Sequence, residues 1–278
     1  MILIIDSGST KAHFVLLGSD GISAEYISKG FNPYYYDRSD FYNLLRDELY
    51  LKIKGKRVER IYYYGAGCSS EVNCSMVEQT LAIFFPSAEI LAEHDLYGAA
   101  IALFGNSRGI ACILGTGSNS CLWDGEHIME NVPSLGYMLG DEGSGAYIGR
   151  KFLAAYLKKK LAREILDAFD NEYHYSLEDI LRSVYNEGNP SSYMASFTRF
   201  LAKHEHHDDV REILHTSFVE FFEESVSKYD RYKQLPVSFV GSVAFHFRHI
   251  LNEAAWQAGI SLGRIEQAPM EGLIRFHS

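Results

Sequence analysis

Ile110-Ala111-Cys112-Ile113-Leu114-Gly115-Thr116-Gly117-Ser118-Asn119-Ser120-Cys121-Leu122-Trp123 is the run whose reading decides the fold. Two apolar stretches flank a turn of residues with little or no side chain. This predicts a β-hairpin whose backbone N–H groups can come close to a ligand. Oriented amides of this kind suit an anion, and the hydroxyls of Thr116 and Ser118 add donors, so a phosphate is the expected guest. Taken alone, the run is better explained by an ordinary tight turn.

The chain opens on the same design. Ile2-Leu3-Ile4-Ile5 predicts a buried strand, Asp6-Ser7-Gly8-Ser9-Thr10-Lys11 a turn, and residues 12–17 a second strand. Two such hairpins predict equivalent halves facing one cleft, and two anion nests with an aspartate at the first describe a nucleoside triphosphate site.

A chain of 278 residues exceeds the usual single core, so two lobes are expected, and a 47% hydrophobic content can fill both. The formal net charge of −10 offers no basic face to nucleic acid or to an anionic membrane; a small-molecule substrate fits better. No apolar stretch approaches the roughly 20 residues that span a bilayer, and Met1 leads straight into a strand, so a cytoplasmic protein is expected. Cys68, Cys74, Cys112 and Cys121 lack zinc spacing, and the last two fall inside the hairpin strands as buried thiols.

In the first lobe, residues 1–106, strands are expected at 22–28, 58–64 and 89–92, and helices at 39–54, capped by Ser39, and 71–84. The alternation predicts an α/β lobe with a mixed sheet. Asp95 follows the last of these strands and heads an apolar helix. A carboxylate there either faces the ligand crevice of an open sheet or caps the helix.

The second lobe, residues 107–268, continues with a strand near 126–131. It then reaches Gly140-Asp141-Glu142-Gly143-Ser144-Gly145, two acids among glycines ahead of a helix over 146–161. The glycines allow close approach of a ligand, while Asp141 and Glu142 suit the helix dipole. Residues 146–232 are expected to be largely helical, with His204 to Asp209 as a solvated turn between helices. A strand at 237–240, the turn Gly241-Ser242, a helix over 243–258 and a strand at 260–265 complete the lobe. A terminal helix within 269–278 is expected to join the first lobe.

Five pieces in order carry a resemblance that covers the whole chain: Asp6 to Lys11, Asp95 before Tyr97-Gly98-Ala99-Ala100, Gly115 to Asn119, Gly140 to Ser144, and Val240-Gly241-Ser242-Val243. The sequence resembles the sugar kinase, heat-shock chaperone and actin ATPase superfamily. Within it, the sequence is most similar to N-acetylglucosamine kinases and the BadF/BadG/BcrA/BcrD ATPase family. The resemblance implies an α/β, two-lobed, ribonuclease H-like (actin-like ATPase) fold with a mixed sheet in each lobe and a helical insertion in the second. It implies ATP-dependent phosphorylation of an amino sugar, foremost N-acetylglucosamine to its 6-phosphate, with ATP and Mg²⁺, and it leaves a homodimer open.

By the same resemblance Gly8, Ser9, Thr10, Lys11, Gly115, Thr116 and Gly117 hold the ATP phosphates, Asp6 orders Mg²⁺ through water, and Gly241 and Ser242 contact the adenosine. Asn32, Ser118, Asn119 and Asp141 hold the sugar, and Asp95 is the base. Related N-acetylglucosamine kinases carry a tryptophan where this chain has Leu135, so glucosamine and N-acetylmuramic acid stand beside N-acetylglucosamine as acceptors.

These roles fit phosphoryl transfer, which needs the phosphate charge neutralised and the attacking hydroxyl held in line with a carboxylate to take its proton. Two other classes compete. An ATPase that drives a partner enzyme would hydrolyse ATP regardless of sugar and would need Cys68 or Cys74 if it carried a cluster. An idle sugar sensor would have no use for Asp95.

Overall fold

The computed structural model describes residues 1–278 apart from Ser9, Tyr35 and Glu187, and it divides into two units. The first comprises Met1–Gly105 with Pro269–Ser278. Its strands are β1 (Ile2–Ser7), β2 (Lys11–Gly18), β3 (Gly21–Lys29), β4 (Arg60–Gly65) and β5 (Glu89–His94), ordered β3-β2-β1-β4-β5. The first three pair antiparallel, whereas β4 runs parallel to β1 and β5 to β4. The central β1 has helices on both faces, which is why its apolar residues run continuously instead of alternating; Leu3, Ile4 and Ile5 are all fully buried.

Phe41, Leu45, Leu49, Val77 and Leu81 form one core with Leu3, Ile5, Phe14 and Ile61. The helices Asp95–Phe104 and Met270–His277 pack together elsewhere in the unit. Only glycine permits their approach. A Cβ at Gly272 would meet the Ala102 carbonyl oxygen at 2.4 Å, and the first of the two helices lies as closely on β4, where a Cβ at Gly98 would meet Tyr64 Cγ at 2.7 Å.

The single helix expected over 39–54 is Arg38–Leu44, a π-helical turn over Leu45–Tyr50, and Leu51–Ile53. Its cap is Asp37 in place of Ser39. The Asp37 carboxylate accepts the N–H groups of Ser39 (2.7 Å) and Asp40 (3.0 Å), and Asp40 returns a bond to the Asp37 N–H. This capping box satisfies more orphan donors than a lone serine hydroxyl can.

The second unit, Asn106–Ala268, repeats the connectivity. Its strands are β6 (Gly109–Leu114), β7 (Ser118–Trp123), β8 (Ile128–Val132), β9 (Val237–Val240) and β10 (Leu262–Glu266), ordered β10-β9-β6-β7-β8. Again the first three are antiparallel and the last two add in parallel. Between β8 and β9 lies a largely helical stretch that includes Gly145–Leu157 and Asp208–Glu224, with Phe152, Phe169, Phe200, Phe218 and Phe221 in its core. The helix expected over 243–258 is broken at Phe247 into Ser242–His246 and Arg248–Ala258. His204 to His207 form the turn ahead of Asp208–Glu224, which His207 caps. No described helix is long and apolar enough to cross a membrane.

Candidate active site

In the first unit, Asp6 pairs across to Tyr64 on β4, which pairs to Glu93 on β5, and Asp95 begins the helix that follows. Both carboxylates therefore stand at the C-terminal edge of the parallel strands, where open α/β sheets bind ligands. Desolvation raises Asp6 from 3.8 to about 7; the Asp95 charge adds to the rise and Lys11 offsets part of it.

The turn after β1 closes with the Gly8 N–H donating to the Lys11 carbonyl at 2.9 Å. A Cβ at Gly30 would sit 1.9 Å from the Gly8 oxygen, so Gly30 is a structural part of this turn, although the sequence marks it only as a strand end. Ser9 lies outside the described residues, while Thr10 and Lys11 are exposed where β2 begins. Asn32 is buried, its Oδ1 accepts the Tyr34 N–H at 3.0 Å, and a Cβ at Gly67 would come within 2.3 Å of that oxygen. Burial pushes the thiols of Cys68 and Cys74 up, away from thiolate.

In the second unit, the hairpin of β6 and β7 turns at residues 115–117, with the Gly115 N–H donating to the Gly117 carbonyl at 3.0 Å. Helix Gly145–Leu157 starts against this turn. The Gly145 N–H donates to the Gly115 carbonyl (2.8 Å) and the Ala146 N–H to the Thr116 carbonyl (3.0 Å). The carbonyls are thereby consumed, and the N–H groups of Thr116 and Gly117 bond no other described residue. A Cβ at Gly115 would meet nothing within 4 Å, so the turn is open on that side. The first helical amides thus brace the turn and leave two of its own amides facing open space.

Asp141 departs from the expected dipole role. Ser144 caps the helix by accepting the Tyr147 N–H at 3.1 Å, and the buried Asp141 turns to the hairpin, where Oδ1 accepts the Ser118 N–H at 3.3 Å. Burial raises Asp141 to about 6 against the lowering effect of that N–H. Leu135 (φ 62°) and Asp141 (φ 58°) both adopt the left-handed region, a strain that clusters at ligand sites. Arg150 ties the segment between them, donating through Nη1 to the carbonyls of Tyr137 (2.9 Å) and Met138 (3.2 Å).

Asn119 is turned toward β8 instead, its Oδ1 accepting from Asn131 Nδ2 at 2.9 Å. Gly241, at φ 124°, is tucked against the hairpin base: a Cβ there would lie 2.2 Å from the Leu114 oxygen, and Ser242 opens the next helix. The second unit thus gathers Gly115, Thr116, Gly117, Ser118, Asp141 and Gly241. Arg150 carries no sequence signal, because its partners are backbone carbonyls.

No protein-family model matches the chain. A crystal structure from Porphyromonas gingivalis, of a protein provisionally named N-acetylglucosamine kinase, is 42% identical with a TM-score of 0.96, covering 100% of this chain and 98% of its own. The N-acetylmuramic acid/N-acetylglucosamine kinase of Clostridium acetobutylicum is 28% identical over 209 residues, 70% of this chain and 67% of that relative. A ROK family glucokinase from Streptomyces griseus, solved with glucose and AMPPNP, is 12% identical with a TM-score of 0.61, covering 98% of this chain and 97% of its own. The fold, two α/β units each built on a five-stranded mixed sheet, is that of the actin-like ATPases, as the motifs implied.

Proposed function

The chain belongs to the N-acetylglucosamine kinases, sugar kinases of the actin-like ATPase superfamily, and from that premise we propose that it transfers the γ-phosphoryl group of ATP to the 6-hydroxyl of N-acetylglucosamine. It is an ATP-dependent amino-sugar kinase. The observation that carries the finer reading is Asp141 beneath the turn at residues 115–117, a buried carboxylate that can accept sugar hydroxyls beside amides that can donate to phosphate.

In this reading Gly8, Thr10, Lys11, Gly115, Thr116 and Gly117 bind the phosphates, and Gly241 and Ser242 the adenosine. Ser118 and Asp141 orient the sugar with Asn32, and Asn119 contributes through its amide nitrogen. Asp95 accepts the proton of the attacking hydroxyl. The carboxylates of Asp6 and Asp95, close enough for their charges to interact, are hard oxygen donors of the kind that suits Mg²⁺. Held through water by Asp6, Mg²⁺ would neutralise phosphate charge.

A coupled assay with Mg·ATP and, separately, N-acetylglucosamine, N-acetylmuramic acid and glucosamine tests the acceptor. The highest kcat/KM is expected for N-acetylglucosamine, and a higher value for either other sugar would reassign it. Asp95→Asn is expected to lower kcat by about 10²–10⁴-fold with both substrates still bound; turnover near wild type would remove Asp95 as the base.

A further inference from the structure

Ser7 is the last residue of β1, buried, and placed in the chain between Asp6 and the Gly8 turn. Its Oγ accepts the Phe31 N–H at 3.1 Å and donates to the Phe31 carbonyl at 3.3 Å. A hydroxyl has one proton and two lone pairs, so both bonds stand together. Phe31 is buried just beyond β3, outside any strand, and among the described residues its backbone groups bond only this hydroxyl. Its ring stacks on Phe41 with 4.2 Å between centroids, so Phe41 anchors the side chain and Ser7 the main chain. On either side of Phe31 stand Gly30, pressed on the Gly8 carbonyl, and Asn32, pressed on Gly67. The Ser7 carbonyl in turn takes the Ala66 N–H at 2.8 Å, which joins the same residue to the turn after β4.

We propose that Ser7 is a positioning residue for the acceptor sugar: by clamping both peptide groups of Phe31 it holds Asn32 at a fixed distance from the Gly8 turn. The proposal rests on the reading of Asn32 as a sugar contact. The two ends of the clamp differ in what else secures them. Without the hydroxyl, the Gly8 turn keeps the pairing of Ser7 with Ala12 and the bond from the Gly8 N–H to the Lys11 carbonyl. The segment that carries Asn32 has no strand pairing to fall back on, and a buried N–H and C=O left unpaired drive it to shift. Loss of the hydroxyl should therefore move the sugar contact and spare the nucleotide contact.

Ser7→Ala, Ser7→Cys, Asn32→Ala and the combined Ser7→Ala/Asn32→Ala separate this role from plain packing. Each is assayed with N-acetylglucosamine and Mg·ATP below its melting transition, and KM is read because an inactive fraction lowers the apparent kcat without changing KM. Ser7→Ala is expected to raise KM for the sugar by about tenfold, with KM for ATP within about threefold. Ser7→Cys keeps a weak donor and acceptor in place and is expected to fall between Ser7→Ala and wild type. Once Asn32 is already alanine, Ser7→Ala is expected to add less than about twofold, since residues that act as one unit are not additive. An unchanged sugar KM in Ser7→Ala, an equal rise for both substrates, or the full effect persisting in the combined variant overturns the proposal.

Should Ser7→Ala not fold, Ser7→Cys decides: a rise in KM confined to the sugar and lost in the Asn32→Ala background supports the clamp, and wild-type KM for both substrates rejects it. Asn32→Ala by itself distinguishes the failures. If it leaves the sugar KM unchanged, Asn32 is not a sugar contact and the underlying reading fails; if it raises that KM while Ser7→Ala does not, only the role of Ser7 falls.

Discussion

The Ser118 N–H donates to Asp141 Oδ1 at 3.3 Å, joining the first residue of β7 to a buried carboxylate 23 positions further along the chain. The bond ties a turn suited to phosphate to a carboxylate suited to a sugar hydroxyl, so a disturbance of either should reach the other.

Gly117→Ala tests this coupling. The added Cβ would lie 3.1 Å from Asp141 Oδ2, close enough to push the carboxylate off its bond to Ser118. The expected result is a rise of about tenfold in KM for the sugar, equivalent to about 1.4 kcal/mol, with the melting temperature little changed. Steady-state kinetics with each substrate varied in turn checks it.

Arg150 acts on the same carboxylate through its charge and through the segment that carries it. Arg150→Ala frees the carbonyls of Tyr137 and Met138 and should let the strained segment between Leu135 and Asp141 relax. KM for the sugar is expected to rise by about tenfold with KM for ATP unchanged. Arg150→Lys should recover only part, because one ammonium does not reproduce the guanidinium geometry.

Gly241→Ala is expected to destabilise the fold. The backbone at φ 124° disfavours any side chain, and the Cβ would meet the Leu114 oxygen at 2.2 Å, a backbone atom that cannot step aside. A loss of about 2–4 kcal/mol should appear as a lower urea midpoint.

The pH dependence of stability carries a sign that follows from Asp6 and Asp141. An unfolded aspartate releases its proton near 3.8, whereas the folded protein holds these two until about 7 and about 6. Between those values the native state binds more protons than the unfolded one, so their contribution is present at low pH and is lost as pH rises from about 4 to about 7. Asp6→Asn should therefore raise the melting temperature at pH 8, and the gain should shrink at pH 5. An equal shift at both pH values would contradict the raised proton affinity.

Much of the fold could be read from residue order, because the signals were local. Continuous apolar runs such as Ile2 to Ile5 mark strands covered on both faces, and the small residues at Gly8 and Gly115 to Gly117 mark the turns between them. The helix Glu71–Phe84 falls where its periodicity places it. Caps were harder. Asp37 displaced Ser39 and His94 displaced Asp95, since neighbouring polar side chains compete for the same orphan amides and backbone geometry chooses among them.

By itself, then, the sequence determined the two hairpins, the strand and helix alternation and the identity of the chemical groups, because hydrophobic period and turn chemistry act over a few residues. Tertiary structure alone decided which way those groups face. It turned Asp141 from its helix to the Ser118 amide, pressed Gly30 and Gly241 against distant backbone, sent Asn119 to Asn131 and set His94 against Asp95. Such choices depend on packing and desolvation contributed by residues far apart in the chain, and no local pattern encodes them.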